Sequence, residues 1–285
     1  MDRYESTKIA GIIGIIGNIF LLIIKSFIGF ISHSQAMIAD AANSAGDIFA
    51  SIMTFIGNKI ASEPKDKSHN FGHGKAEYVF SLFISISMMF VAGKLLIDCI
   101  INFITNAKFT FSWFLIIVCI ITIIVKFILF IYTKKLYKCN KNLLLKSNMI
   151  DHRNDCILTV FTLLSIILGL FDIYWVDPIV GFGISLWIFY TGIKIFIESY
   201  NVLMDKSLDT KTNELILDLI HEYKEIQKID EICSSPIGYQ FVVTVNIYID
   251  GNMSTFDSHK IADTLEKNIE GLDNIAQAIV HVNPI

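Results

Sequence analysis

Six apolar stretches, near 8–31, 36–60, 78–103, 111–133, 145–170 and 176–200, fill the first two thirds of this 285-residue sequence. Each is as long as the roughly 20 residues that a helix needs to cross a bilayer. In hydrocarbon every backbone N–H and C=O must be satisfied internally, so stretches of this length are read as transmembrane helices. The first could pass for a signal peptide, but no convincing cleavage site follows it and further long apolar runs do, so it counts as a span. Composition points the same way: 53% of residues are hydrophobic, 18% are charged and the mean hydropathy is +0.57. Soluble chains carry about 25% charged residues. Disorder, collagen and small disulfide scaffolds are excluded. Cys99, Cys119, Cys139, Cys156 and Cys233 form no CxxC or Cys/His zinc spacing and read as small apolar filler in a reduced protein.

Charge and pattern divide the chain into 1–205, the six-span transmembrane part, and 206–285, an α+β tail. The first carries a net +3 and the second −7, and neither offers the basic face that nucleic acid requires. Lysines alternate between connections. Lys59, Lys65, Lys67 and Lys75 lie between spans two and three, and Lys134, Lys135, Lys138, Lys141 and Lys146 between spans four and five. Only Lys108 lies between spans three and four. Cytoplasmic loops collect lysine and arginine, so the two lysine-rich connections and both termini are expected in the cytoplasm. In the tail, 210–226 and 256–270 have helical periodicity, while 229–234, 239–249 and 275–282 read as strands. The order α-β-β-α-β predicts one sheet with two helices on a face.

A charge near the bilayer centre costs on the order of 3 kcal/mol, so intramembrane carboxylates are the first place to look for function. Span two contains Asp40, Asn43 and Asp47, which steps of three and four residues place on one helix face. Span five contains Asp151 and Asp155, also four apart. Brought together, Asn43, Asp47, Asp151 and Asp155 can enclose one cation. Without a countercharge the three carboxylates would repel and take up protons, and a divalent ion removes that penalty. The same coupling makes protons compete with the ion, as a metal/proton exchanger requires. The alternative is a structural role, in which these residues hydrogen-bond between helices or pair with Lys or Arg. Arg153 is directed about 100° from its neighbours on an ideal helix. Lys94 and Asp98 are expected to pair internally, and Lys25, Lys126, Lys194 and Glu198 to snorkel or pair near helix ends.

Several motifs resemble the cation diffusion facilitator family. Ser34 to Asp47 is similar to its second-span signature, Phe71-Gly-His73-Gly-Lys75-Ala-Glu77 to its loop motif, Asp177-Pro178-Ile179 to the start of its sixth span, and Leu203-Met-Asp205 to the exit into the tail. The resemblance implies a homodimer of six-span subunits with ferredoxin-like cytoplasmic domains, in the cytoplasmic membrane. It also implies export of a divalent cation in exchange for protons, with no prosthetic group. Zinc-type members have histidine in the transport quartet, where this chain has Asn43 and Asp151; the set resembles the manganese-exporting bacterial branch. Oxygen donors suit Mn²⁺, Mg²⁺ or Ca²⁺ better than Zn²⁺. The resemblance further implies a loop metal site at Asp66, His69 and His73 and a tail site at His259 and His281, with Asp230, Asn246 and Asn283 aligned to its other positions. Lastly it implies a charge interlock between Lys75 and Asp205. A zinc, iron or broad-range exporter, a metal-sensing scaffold without transport, and an intramembrane protease are the rival readings.

Overall fold

The structure, a computed structural model, describes residues 3–31, 35–105, 113–169, 171 and 176–285. They divide into two compact units: 1–63 with 76–200, and 64–75 with 201–285. The tail unit therefore also takes in the loop 64–75.

The first unit is built from α1 (Arg3–Ile31), α2 (Gln35–Ala61), α3 (Ala76–Thr105), α4 (Trp113–Cys139), α5 (Leu143–Gly169) and α6 (Val176–Leu203). Among the described residues, four segments are long and apolar enough to cross a membrane: Arg3–Ile28, Ala76–Thr105, Trp113–Cys139 and Gly181–Leu203. The six spans expected from sequence thus reduce to four by this measure. The helices that fall short are α2 and α5, at 27 residues each long enough but diluted by polar side chains. These are the helices that carry Asp47, Asp151 and Asp155.

The bundle inverts the usual arrangement of a soluble protein. Ser6, Asn18, Ser51, Asn58, Ser81 and Asn148 are buried, while Ile16, Phe27, Phe90 and Ile128 face outward. With lipid outside there is no hydrophobic gain in hiding apolar side chains, and polar groups gain by bonding between helices. Asn18 of α1 donates to the backbone oxygen of Asp47 and to Ser51 Oγ, both at 3.0 Å. Gly11 lets α1 come close to α2, since a Cβ there would lie 3.1–3.2 Å from Phe55. The start of α5 is fixed by two side chains. Asn142 Oδ1 accepts from the Leu144 and Leu145 amides at 2.8 and 3.3 Å. The buried Glu77 of α3 accepts from the Leu143 amide at 2.5 Å, from Asn142 Nδ2 at 3.1 Å and from Arg3 Nη2 at 2.7 and 2.9 Å. One carboxylate so ties the first turns of α1, α3 and α5.

The tail unit has α7 (Thr210–His221), β1 (Lys228–Pro236), β2 (Phe241–Ile249), α8 (Thr255–Glu270) and β3 (Ile275–Pro284). The sheet order is β1-β2-β3, with β1 antiparallel and β3 parallel to β2. Val243, Val245, Ile247 and Ile249 alternate onto one face and form a core with Ile216 and Ile220 of α7 and Leu265 and Ile269 of α8. The predicted α-β-β-α-β layer is found in that order. Asp209 and Ser254 cap α7 and α8 by accepting from the amides of Thr212 and Asp257, as short polar side chains do at helix starts.

Candidate metal centre

The carboxylates of α2 and α5 meet inside the helical unit, and they meet at a lysine. Asp47 is 9% exposed, in the interior of α2. Asp151, His152 and Asp155 of α5 each place one potential ligand atom within 4.8 Å of the others'. Lys126 Nζ donates to Asp47 Oδ2 at 2.7 Å and to Asp155 Oδ2 at 2.6 Å. A cavity of about 30 Å³ opens beside them, lined by Gly46, Asp47, Met88, Asp151, Asn154 and Asp155. Among the described residues, Asp151 Oδ2 is buried with no hydrogen-bond partner, and so are both ring nitrogens of His152. The side chains of Asp40 and Asn43 lie outside the described residues.

This geometry corrects the expectation that Lys126 snorkels or pairs near a helix end. Its side chain is 1% exposed, with thirteen residues of α4 on either side. That is about 20 Å of helix in each direction, too far for a lysine side chain to reach water. The midpoint position was the available signal: an ionisable residue at the centre of an apolar helix is a functional candidate by default. Lys25 of α1 is also buried and adds positive potential at Asp155. His152 follows Asp151 rather than sharing the Asp151–Asp155 step, so spacing along α5 does not single it out. Arg153 leaves the site, its guanidinium stacking 4.6 Å from the Trp187 ring centre. The expected Lys94–Asp98 pair does not form, and both side chains are exposed at the surface of α3. Near the end of α6, Lys194 lies over the Tyr190 ring and Glu198 pairs with Lys146.

The loop residues also come together. Asp66, His69 and His73 place one ligand atom each within 4.8 Å. Asp66 Oδ1 accepts from the amides of Ser68 and His69 at 2.8 and 2.6 Å. The His69 amide is the main cause that holds the Asp66 carboxyl below its usual range. Its other oxygen, Oδ2, lies 3.7 Å from His73 Nε2. Nδ1 of His73 is 3.3 Å from the Pro64 carbonyl, an arrangement that leaves Nε2 as the ligand nitrogen. Two imidazoles and a carboxylate, two of them solvent-exposed, suit a borderline divalent ion with positions left for water.

In the tail, the structure does not gather the expected residues within one chain. Asn246 stands opposite His281, and Tyr248 opposite Asn283, on the sheet face away from the helices. His259 is on α8, in the layer on the other side of that sheet. Asp230 falls at a bulge between Ile229 and Glu231, with Lys228 4.0 Å away.

Lys75 Nζ donates to Asp205 Oδ1 at 2.8 Å, and Ser235 Oγ donates to the same oxygen at 2.9 Å. These bonds lower the Asp205 carboxyl below its ordinary value. Asp205 has φ 53°, where glycine is usual, just past α6. The Lys206 amide bonds back to the Asn201 carbonyl at 2.9 Å, closing the helix through a left-handed residue.

Residues 11–204 match the family described as the cation efflux transmembrane domain, and 208–285 match the cation efflux protein cytoplasmic domain. The chain belongs to the cation diffusion facilitator family. As a family member it is a divalent cation efflux transporter and not an enzyme, with a helical membrane domain and a cytoplasmic domain around a small sheet. It is 30% identical over 275 residues to the uncharacterized transporter MJ0449 of Methanocaldococcus jannaschii, covering 95% of this chain and 96% of that one. It is 25% identical over 291 residues to the manganese efflux system protein MneP of Bacillus subtilis, covering 99% and 98%. For MneS of the same organism, also a manganese efflux system protein, identity is 27% over 288 residues, covering 100% and 99%.

Proposed function

We propose that this transporter exports Mn²⁺ from the cytoplasm in exchange for protons, through a site formed by Asn43, Asp47, Asp151 and Asp155. The observation that carries the reading is the convergence of three carboxylates from α2 and α5 beside one small buried cavity. Oxygen donors in this number favour a hard or borderline dication, and the likeness to two manganese efflux proteins supports the same ion. In the cycle we propose, the inward-facing site replaces part of the ion's water with carboxylate and amide oxygens. Helix rocking then presents the site to the outside. Protonation there weakens the metal's hold, and the protonated carboxylates return and release their protons inside.

The reading includes all six helices as spans. It includes a homodimer in the cytoplasmic membrane, with both termini in the cytoplasm. Asp66, His69 and His73 form a second metal site on the cytoplasmic side, and the tail set around His259 and His281 needs the second copy to be completed.

One observation favours a second reading. His152 lies within ligand distance of Asp151 and Asp155, and imidazole suits Zn²⁺ and Fe²⁺ well. Competitive uptake of Mn²⁺, Zn²⁺ and Fe²⁺ into inside-out vesicles separates the two. The first reading is supported by Mn²⁺ uptake that survives equimolar Zn²⁺ and Fe²⁺. Uptake of Zn²⁺ or Fe²⁺ with Mn²⁺ excluded would establish the second.

A further inference from the structure

The two oxygens that a metal would need most are already aimed at one point, and that point holds a covalently attached cation. Asp47 Oδ2 and Asp155 Oδ2 come from different helices and both receive the Lys126 ammonium, at 2.7 and 2.6 Å. Lys126 comes from a third helix, α4, and nothing else competes for it among the bonds described at Nζ. An ammonium and a dication cannot both hold these oxygens at bonding distance, because two positive centres would then lie almost in contact. Asp151, by contrast, keeps a buried oxygen without a hydrogen-bond partner among the described residues, so one ligand stands ready while two are engaged.

We propose that Lys126 is a tethered competitor for the transport site: its ammonium takes the seat between Asp47 and Asp155 when no metal is bound and is displaced by the incoming dication. The inference rests on the assignment of these carboxylates to metal binding, made above. Three consequences follow from charge alone. The metal-free site is never left as three bare buried carboxylates, whose mutual repulsion would otherwise be uncompensated. Metal release is assisted, because Lys126 returns to the oxygens as the ion departs. Monovalent cations are rejected: Na⁺ or K⁺ brings no more charge than the ammonium it would displace, whereas a dication brings twice as much.

The test is Mn²⁺ binding to the full-length protein in detergent, by titration calorimetry, beside Mn²⁺ transport in proteoliposomes. Lys126→Gln should bind Mn²⁺ at least tenfold more tightly than the wild type. Its apparent KM should fall and its kcat should fall with it, and its Mn²⁺ binding should become sensitive to Na⁺. A residue that only positioned the carboxylates would give the opposite sign, weaker binding on removal. Lys126→Met serves if the Gln variant does not fold. Lys126→Arg keeps the charge and grips both carboxylates as a fork, so it should bind Mn²⁺ at least tenfold more weakly even if both neutral variants fail. Wild-type or weaker affinity in the neutral variants, or unchanged affinity in Lys126→Arg, overturns the proposal. Asp47→Ala separates this from failure of the site assignment: if it binds Mn²⁺ like the wild type, the carboxylate site itself is wrong.

Discussion

At the scale of single residues, the carboxylates of the proposed transport site are held in unequal states. Asp47 and Asp155 share an ammonium, whereas Asp151 has a buried oxygen with no hydrogen-bond partner among the described residues. Asp151 is therefore a position where donor chemistry can be changed without breaking the lysine bridge, and Asn43 is the member of the proposed quartet that carries no carboxylate. Replacing both by histidine should raise Zn²⁺ uptake relative to Mn²⁺ by about tenfold, since imidazole is the softer donor. An unchanged uptake ratio in a two-ion competition would place selectivity elsewhere. That Asp151 and Asp155 lie together was legible from the sequence, because i, i+4 spacing fixes a helix face whatever the tertiary fold. Lys126 was not recognised, because its partners lie on two other helices and periodicity along α4 says nothing of them. The expected Lys94–Asp98 pair shows the converse: correct spacing puts two side chains within reach, but at an exposed surface nothing forces them together.

At the scale of elements, Glu77 decides how three helices begin. Removing it leaves the Leu143 amide, Asn142 and Arg3 without their shared acceptor. Breaking a buried charged pair in this way costs about 3–5 kcal/mol. Glu77→Ala should therefore lower the melting temperature of the detergent-solubilised protein clearly, with Glu77→Gln falling less because it keeps an acceptor oxygen. Melting of the alanine variant at the wild-type temperature would show that Glu77 is not the tie. Sequence reading met Glu77 only as the last residue of a loop motif, since its partners are 65 or more residues away. The Lys75–Asp205 link is a second element-scale device. Both side chains are substantially exposed, so the pair alone contributes about 0–1 kcal/mol. Asp205 nevertheless accepts a left-handed backbone that glycine would tolerate better. Asp205→Gly relieves that backbone and removes the carboxylate. We expect it, like Lys75→Ala, to reduce crosslinked dimer and flux, with the double variant no worse than the single ones. Strictly additive losses would show that the two residues act separately. The folded Asp205 carboxyl titrates below its unfolded value. Its contribution is therefore complete above about pH 4 and is lost as pH falls through the lowered folded value.

At the scale of the whole chain, the apolar exterior and polar interior of the helical unit belong to the same function. Lipid accepts the outward Ile and Phe side chains, and the interior can then hold carboxylates, a lysine and a histidine where a soluble core could not. The tail's α-β-β-α-β order was readable because strand alternation and helical period are strong in β2 and α8. The parallel pairing of β2 with β3 was not, since register depends on a crossover that no local pattern encodes. Only four of the six expected spans meet the length-and-hydropathy measure among the described residues, because polar side chains lower the hydropathy of α2 and α5. The central claim is that the α2–α5 carboxylates carry a dication in exchange for protons. The most direct measurement is Mn²⁺ flux in proteoliposomes under an imposed pH gradient, with internal pH recorded at the same time, for the wild type and Asp155→Ala. The account predicts Mn²⁺ movement coupled to opposite proton movement in the wild type, and loss of both in the variant while it still inserts and dimerises. Wild-type Mn²⁺ flux in Asp155→Ala, or Mn²⁺ flux with no proton countermovement, would contradict it.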